Sequence, residues 1–412
     1  MFYRQPRCCL NTPSIHVLHS YSAKWPSLAV LFLSLQPSVW LRMKSGICIR
    51  FASSSGRSLL SAEWSRLGIE SRVVCHEQTT SGSACLLLHL AEHQASVWMP
   101  GFDTLGLADT LKLDVSHQED DLLREIWLTL LNCPVLLEFP SAEELMAAVR
   151  IRRNIVINAS RTCLNFHTSA IERPTDCWRH SEETGFVLIP GSPLIDSLKK
   201  ACQPEVGEQV YAFSCNRATE YVILLAIAEE ARTSHPELLC QLQAQWEKKA
   251  ISFEQFQDVF LNELGALEQP LPMHYYVPGD RVWFRNPDSH SSDVRGFEGS
   301  WVFYLGGGMF VNFWKRDQPF NLLSKCIEIH HWSHATFRDA QGELQLDENK
   351  VDKLVAETLA SPENTARIFE RMHRFRDGRG IYAEGGCMDA TRETPKFVLA
   401  PHSDLIRALQ AL

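Results

Sequence analysis

The sequence predicts an α+β fold in which a cysteine at a helix N-terminus packs on an antiparallel sheet, and three observations predict it. The stretch YAFSCNRATEYVILL, Tyr211 to Leu225, sets Cys215 and Asn216 where a helix would begin, ahead of helix formers and a continuous apolar run from Ala218 onward. Strand signals then follow the helical ones. DRVWFRNP alternates and stops at Asn286 and Pro287, and GSWVFYLGGGMFVNFW reads as two strands about a turn at Gly306, Gly307 and Gly308. KCIEIHHW repeats the alternation and is expected to be a further strand. Helices first and strands afterwards is the order of an α+β layout.

The elements follow in chain order. With 412 residues there is room for two domains, or for one with extensions. Residues 1–62 carry seven basic residues and no acidic one before Glu63, and this acid-poor segment is expected to be an extension outside the fold. Residues 63–122 mix short apolar runs, SACLLLHL and ASVWMPGF, with turn residues, as a small α/β element would. The main domain is placed at 123–340. It opens with SAEELMAAVRIRRNIVINASR, where Ser141 and Glu144 have capping-box spacing and Leu145, Val149, Ile155 and Ile157 follow a helical repeat. HPELLCQLQAQWEKKAISFEQFQDVFLNEL reads as two more helices. Residues 341–412, with DENKVDKLVAETL and NTARIFERMHRF, read as surface helices with salt-bridging faces and no chemistry of their own. A thiol on a helix packed against a following sheet is the arrangement of papain-like cysteine enzymes.

Composition narrows the function. A net charge of -9 without a concentrated basic face argues against nucleic-acid binding. The longest apolar run, Leu28 to Leu35, is far shorter than the roughly 20 residues a membrane span needs. Thirteen scattered cysteines with no CxxC pair suit a reducing compartment, and a cytoplasmic location is expected.

Four stretches, in order, resemble the small Bacillus-type bacterial protein-glutamine gamma-glutamyltransferases: EELMAAVRIRRNIVINA, Trp178-Arg179, YAFSCNRATEYVILL and VPGDRVWFRNPDSHSSDVRGFEGSWVFYLGGG. Their order and spacing agree from Leu123 to Arg338. The resemblance implies an acyltransferase with no cofactor and no metal. Its partners are protein substrates, a glutamine donor and a lysine acceptor, with no nucleic acid and no membrane. It places the nucleophile on Cys215. The glutamate that partners it falls on Glu298 when the chains are paired at Arg295-Gly296, and on Ser300 when paired back from Leu305-Gly306. Only Glu298 offers the carboxylate the chemistry needs. Two departures stand out: Ser214 replaces a glutamate, and the histidine of a later segment has no counterpart near Asn312 or Phe313.

The residues supply a mechanism of their own. A helix N-terminus favours thiolate over thiol, and lowering the thiol pKa from about 8.5 to about 7 would ionise roughly half of it at neutral pH. The thiolate would attack a glutamine carboxamide, expel ammonia and leave a thioester for a lysine amine to resolve. Glu298 would move both protons if burial among Phe297, Trp301 and neighbouring aromatics raised its pKa. Backbone amides at the helix start are natural oxyanion donors, with Ser214 and Asn216 as orienting groups or plain caps. Trp178, Trp283, Trp301 and Trp314 are large enough to wall a tunnel that excludes water, although tryptophans on strands are usually core. Rival readings are a thiol deamidase or hydrolase that uses water, and a scaffold that kept the fold and lost catalysis. A metal site at Cys326, Glu328, His330, His331 and His334 is set aside, because on a strand His331 would point away from the others and zinc-module spacing is missing.

Overall fold

The computed structural model describes residues 45–51, 53–80, 83–167, 171–250, 253–376, 386–399 and 403–410. The run Leu28 to Leu35 and the rest of residues 1–44 lie outside the described residues.

A four-stranded sheet forms around β1 (Gly46–Phe51), which runs antiparallel to β3 (Ser83–Leu90) and parallel to β4 (Leu136–Ser141), with β2 (Val73–Thr80) at the far edge beside β3. In GICIRF the side chains alternate, so Ile47 and Ile49 face one way and are completely buried opposite Leu88 and Leu86. Residues 45–51 and 53–62 are therefore inside the fold, not in an extension. After β1 comes α1 (Ser54–Leu67), capped by Ser53 Oγ, which accepts from Gly56 N at 3.0 Å, and closed by Gly68 at φ 70°. Its Trp64 meets Trp127 edge-on at 5.8 Å. Beyond the short α2 (Glu92–Trp98) and α3 (Leu107–Leu111), Trp127 lies on α4 (Glu119–Leu131). The boundary expected between 122 and 123 falls inside α4.

Ser141 caps α5 (Ala142–Arg161) as its spacing predicts, accepting from Glu144 N at 3.2 Å. The Glu144 carboxylate accepts the N–H groups of Val398 and Leu399 at 2.8 and 2.9 Å, tying the segment after β16 to this helix. The helix feeds two cores. Leu145, Met146, Val149 and Val156 join the core beneath the four-stranded sheet, whereas Ala147, Ile151, Ile155 and Ala159 join the larger one.

The larger core surrounds α8 (Cys215–Ser234), where every residue from Ala218 to Ala228 is buried. A helix apolar all round must be enclosed on all sides. Two short ladders lead to it: β5 (Asn165–Phe166) with β8 (Ala212–Phe213), parallel, and β6 (Trp178–Ser181) with β7 (Gly185–Leu188), antiparallel. The helices α6 (Leu194–Cys202) and α7 (Pro204–Gly207) precede it, and α9 (Pro236–Lys248) and α10 (Phe253–Phe260) follow it as two separate helices, as expected.

Against α8 lies a six-stranded antiparallel sheet in the order β13-β12-β11-β10-β16-β9, formed by β9 (Leu261–Leu264), β10 (Arg281–Arg285), β11 (Gly299–Gly306), β12 (Met309–Phe310), β13 (Phe320–Asn321) and β16 (Arg392–Pro395). The strand ending at Asn286-Pro287 and the hairpin at Gly306 to Gly308 form as expected. The turn needs glycine, because Gly308 has φ 74° and a Cβ there would sit 3.0 Å from the Leu105 carbonyl.

Two expectations change. KCIEIHHW is not a strand: Asn321 Oδ1 accepts Ser324 N at 2.9 Å and caps α11 (Leu322–Ala335). Apolar residues on two faces of a buried helix imitate alternation, and Cys326, Ile327 and Ile329 are all fully or nearly fully buried. Residues 341–412 are not merely an appended helical segment. The boundary at 340 cuts the hairpin of β14 (Thr336–Arg338) and β15 (Leu344–Leu346), and β16 fills the gap between β10 and β9. The helices α12 (Glu348–Leu359) and α13 (Pro362–Met372) form where expected, and α14 (Asp404–Gln410) ends the described chain. No helix among the described residues is long and apolar enough to cross a membrane.

Candidate active site

Cys215 is the first residue of α8. Ser214 ahead of it is extended, and its hydroxyl accepts Arg217 N at 3.4 Å, so it serves as the helix cap. Phe213 holds this junction in place by pairing with Phe166. Cys215 as a residue is half-buried, and its sulfur takes backbone hydrogen bonds from Trp301 and Asn216, with the Arg281 guanidinium near enough to favour its charge. Burial outweighs these and pushes the thiol up, and the Glu298 carboxylate pushes it the same way. The helix end acts in the expected direction, but the net shift is away from thiolate, because desolvation is the largest influence.

Glu298 lies in the loop entering β11. It is exposed, not buried among Phe297 and Trp301, and its Oε1 accepts Gly296 N at 3.2 Å. Its charge nevertheless reaches the Cys215 sulfur. Ser300, the alternative, is buried at the β11 position opposite Phe284.

Beneath the sulfur runs a charged network that sequence reasoning missed. Arg281 is 1% exposed, donates to Asn216 Oδ1 at 2.5 Å and Thr219 Oγ1 at 2.8 Å, and pairs with Glu393. Its guanidinium carbon stacks 3.7 Å from the Trp301 ring centroid. Asn216 turns its amide to Glu220 Oε1 at 3.1 Å, and Glu220 also pairs with Arg217. Alternation along DRVWFRNP could have flagged Arg281, since residues 281 and 283 share a face. Nothing local could have brought Glu393 to it, because that contact spans 112 residues.

Trp283 and Trp301 sit opposite each other in β10 and β11 with ring centroids 4.7 Å apart. With Arg281, Asp389, Thr391 and Glu393 they border a hollow of about 260 Å³. Residues from the last part of the chain thus join the site, where no chemistry is expected of them. Trp178 does not wall it: 2% exposed, it packs on Tyr221 and Trp246 in the core and donates Nε1 to the Ser197 carbonyl at 3.1 Å. Trp314 and Phe297 pack on Phe166, with ring centroids 5.1 and 5.8 Å away.

A thiol at a helix start, a strand amide at the sulfur and a nearby carboxylate are parts that acyl transfer through a thioester can use. The protein-glutamine gamma-glutamyltransferase family model matches residues 107–377, about two thirds of the chain. The chain belongs to that family. It is an acyltransferase of the transglutaminase class, which acts on protein substrates and joins glutamine carboxamides to lysine amines with loss of ammonia. The span of the transglutaminase match takes in α8, the β10–β11 hairpin, α12 and α13, but stops short of β16. Among solved structures, the transglutaminase from Geobacillus stearothermophilus without its C-terminal extension is 17% identical, with a TM-score of 0.37 over 53% of this chain and 98% of that one. No curated protein matches.

Proposed function

We propose that Cys215 and Glu298 carry the transglutaminase reaction, in a papain-like arrangement of nucleophile helix against antiparallel sheet, acting on cytoplasmic proteins. The observation that supports this most is the convergence on one sulfur of the Trp301 and Asn216 backbone hydrogen bonds and the Glu298 charge.

Because burial holds Cys215 as a thiol, its proton leaves as the sulfur attacks, passing to the Glu298 carboxylate. The sulfur bonds to the glutamine Cδ, and the oxyanion takes the N–H groups of Trp301 and Asn216. As the carbon–nitrogen bond breaks, Glu298 returns the proton and ammonia departs, leaving the thioester. The incoming lysine ammonium first releases one proton to solvent; as the resulting amine attacks the thioester carbon, Glu298 takes a second proton from its nitrogen and delivers it to the departing sulfur, leaving the amide and the free thiol. Trp283 and Trp301 on one side, and Trp314, Phe166 and Phe297 on the other, would keep water from the thioester. Ser214 caps the helix, and Asn216 links the nucleophile's turn to Arg281.

The test is incubation with a glutamine donor peptide and an alkyl amine, with ammonia and amide product both measured. Ammonia with equimolar amide is expected from the native chain and neither from Cys215→Ala. Ammonia without amide would replace this reading by deamidation. Full activity in Cys215→Ala would remove the nucleophile assignment.

A further inference from the structure

We propose a metal site on α11, built from His330, His331 and His334, for a divalent cation of the zinc class. The helix is what makes it: residues 330 and 334 are one turn apart on the same face, with 331 alongside. Each imidazole offers a nitrogen within 4.8 Å of the other two. The ring centroids are 5.1, 5.1 and 5.4 Å apart.

His331 carries the case furthest. It is only 7% exposed, its Nε2 lies 2.7 Å from Thr358 Oγ1, and its Nδ1 is buried with no hydrogen-bond partner. If Nε2–H donates to the threonine, Nδ1 presents a bare lone pair. A ring whose outer nitrogen is fixed on an oxygen while the inner one is vacant is the usual state of a metal-ligating histidine. His334 has Nδ1 3.2 Å from Ser333 Oγ, which leaves its Nε2 for the ion.

Of the charges facing the cluster, Arg367 and Arg371 oppose a cation and Glu357 favours one. Three imidazoles and a water at metal–nitrogen distances of about 2.0–2.1 Å would complete a tetrahedron after small ring rotations. Its place makes the ion structural. Thr358 belongs to α12 and its carbonyl accepts Thr365 Oγ1 of α13 at 2.8 Å, so the ion would pin three helices together. Between these histidines, Trp332 packs edge-on against Phe297 at 5.2 Å, next to Glu298.

The test is titration of the chelator-treated full chain with cobalt(II), followed by competition with zinc(II). One cobalt per chain is expected, with ligand-field bands of a nitrogen and oxygen site and no thiolate charge-transfer band, displaced by zinc. His334 is exposed, so His334→Ala should fold with unchanged circular dichroism, bind at least about 100-fold more weakly, and lose any rise in Tm that zinc gives the native chain. The proposal is overturned if the native chain takes up no cobalt at tens of micromolar, if the spectrum shows sulfur ligation, or if His334→Ala binds as tightly as the native chain.

Discussion

At Cys215, a helix end, a strand amide and a buried guanidinium act against desolvation, and desolvation is the larger. Removing Arg281 therefore should make the sulfur harder to ionise: in Arg281→Gln the pH midpoint for iodoacetamide alkylation of residue 215 should rise. The same variant leaves Glu393 buried without its cation, so a stability loss of about 3–5 kcal/mol is expected by thermal denaturation. Glu298 is on the surface, so its replacement should spare folding while removing proton transfer. Glu298→Gln is expected to keep its Tm and to lower kcat for ammonia release by about 10²–10⁴-fold, and an unchanged kcat would exclude it from the reaction. How legible the candidate residues were differs. Cys215 could be singled out from local pattern alone, and Glu298 from alignment of one hairpin. Arg281 was hidden because a charge in a strand ordinarily marks the solvent face, and here its counter-charge arrives from far along the chain.

Among the elements, those with strong local signals formed as read: the Ser141 cap, the glycine hairpin and the paired helices after α8. The misreading of α11 has a physical cause, since a helix buried on more than one face loses the polar stripe that distinguishes it from a strand. β1 and β16 went unread because short strands acquire meaning only from their neighbours. Within the sheet, β10 and β11 are pressed together at Gly299, where a Cβ would lie 2.4 Å from the Phe284 carbonyl and 2.5 Å from the Trp283 ring. Gly299→Ala should force the two strands apart beside the Trp283–Trp301 pair. A loss of about 1–3 kcal/mol in urea denaturation, with intrinsic tryptophan emission shifted to the red, is the expected outcome. The cap is a milder case, and Ser141→Ala should cost about 1 kcal/mol.

Over the whole molecule, the two cores are joined by α5 and by Glu125. That fully buried carboxylate on α4 accepts the Tyr304 hydroxyl at 2.9 Å and the Gly307 N–H at 3.0 Å, across to the hairpin of the larger sheet. Burial raises it to about 7, against 4.5 for an exposed glutamate. The folded state thus holds a proton that the unfolded chain has released. Its contribution to stability is complete below about pH 4.5 and is lost as pH rises through about 7, by an amount on the order of 3 kcal/mol. Glu125→Gln should flatten that part of the pH–Tm profile, and an unaltered slope would show that other groups produce it.

The place of β16 in the sheet orders events during synthesis. A ribosome releases Cys215, its helix and the Trp283–Trp301 pair well before Glu393, and until that residue docks, the guanidinium under the sulfur lacks its ion-pair partner. A nascent chain would therefore carry an incomplete centre until β16 has been made and has paired with β10.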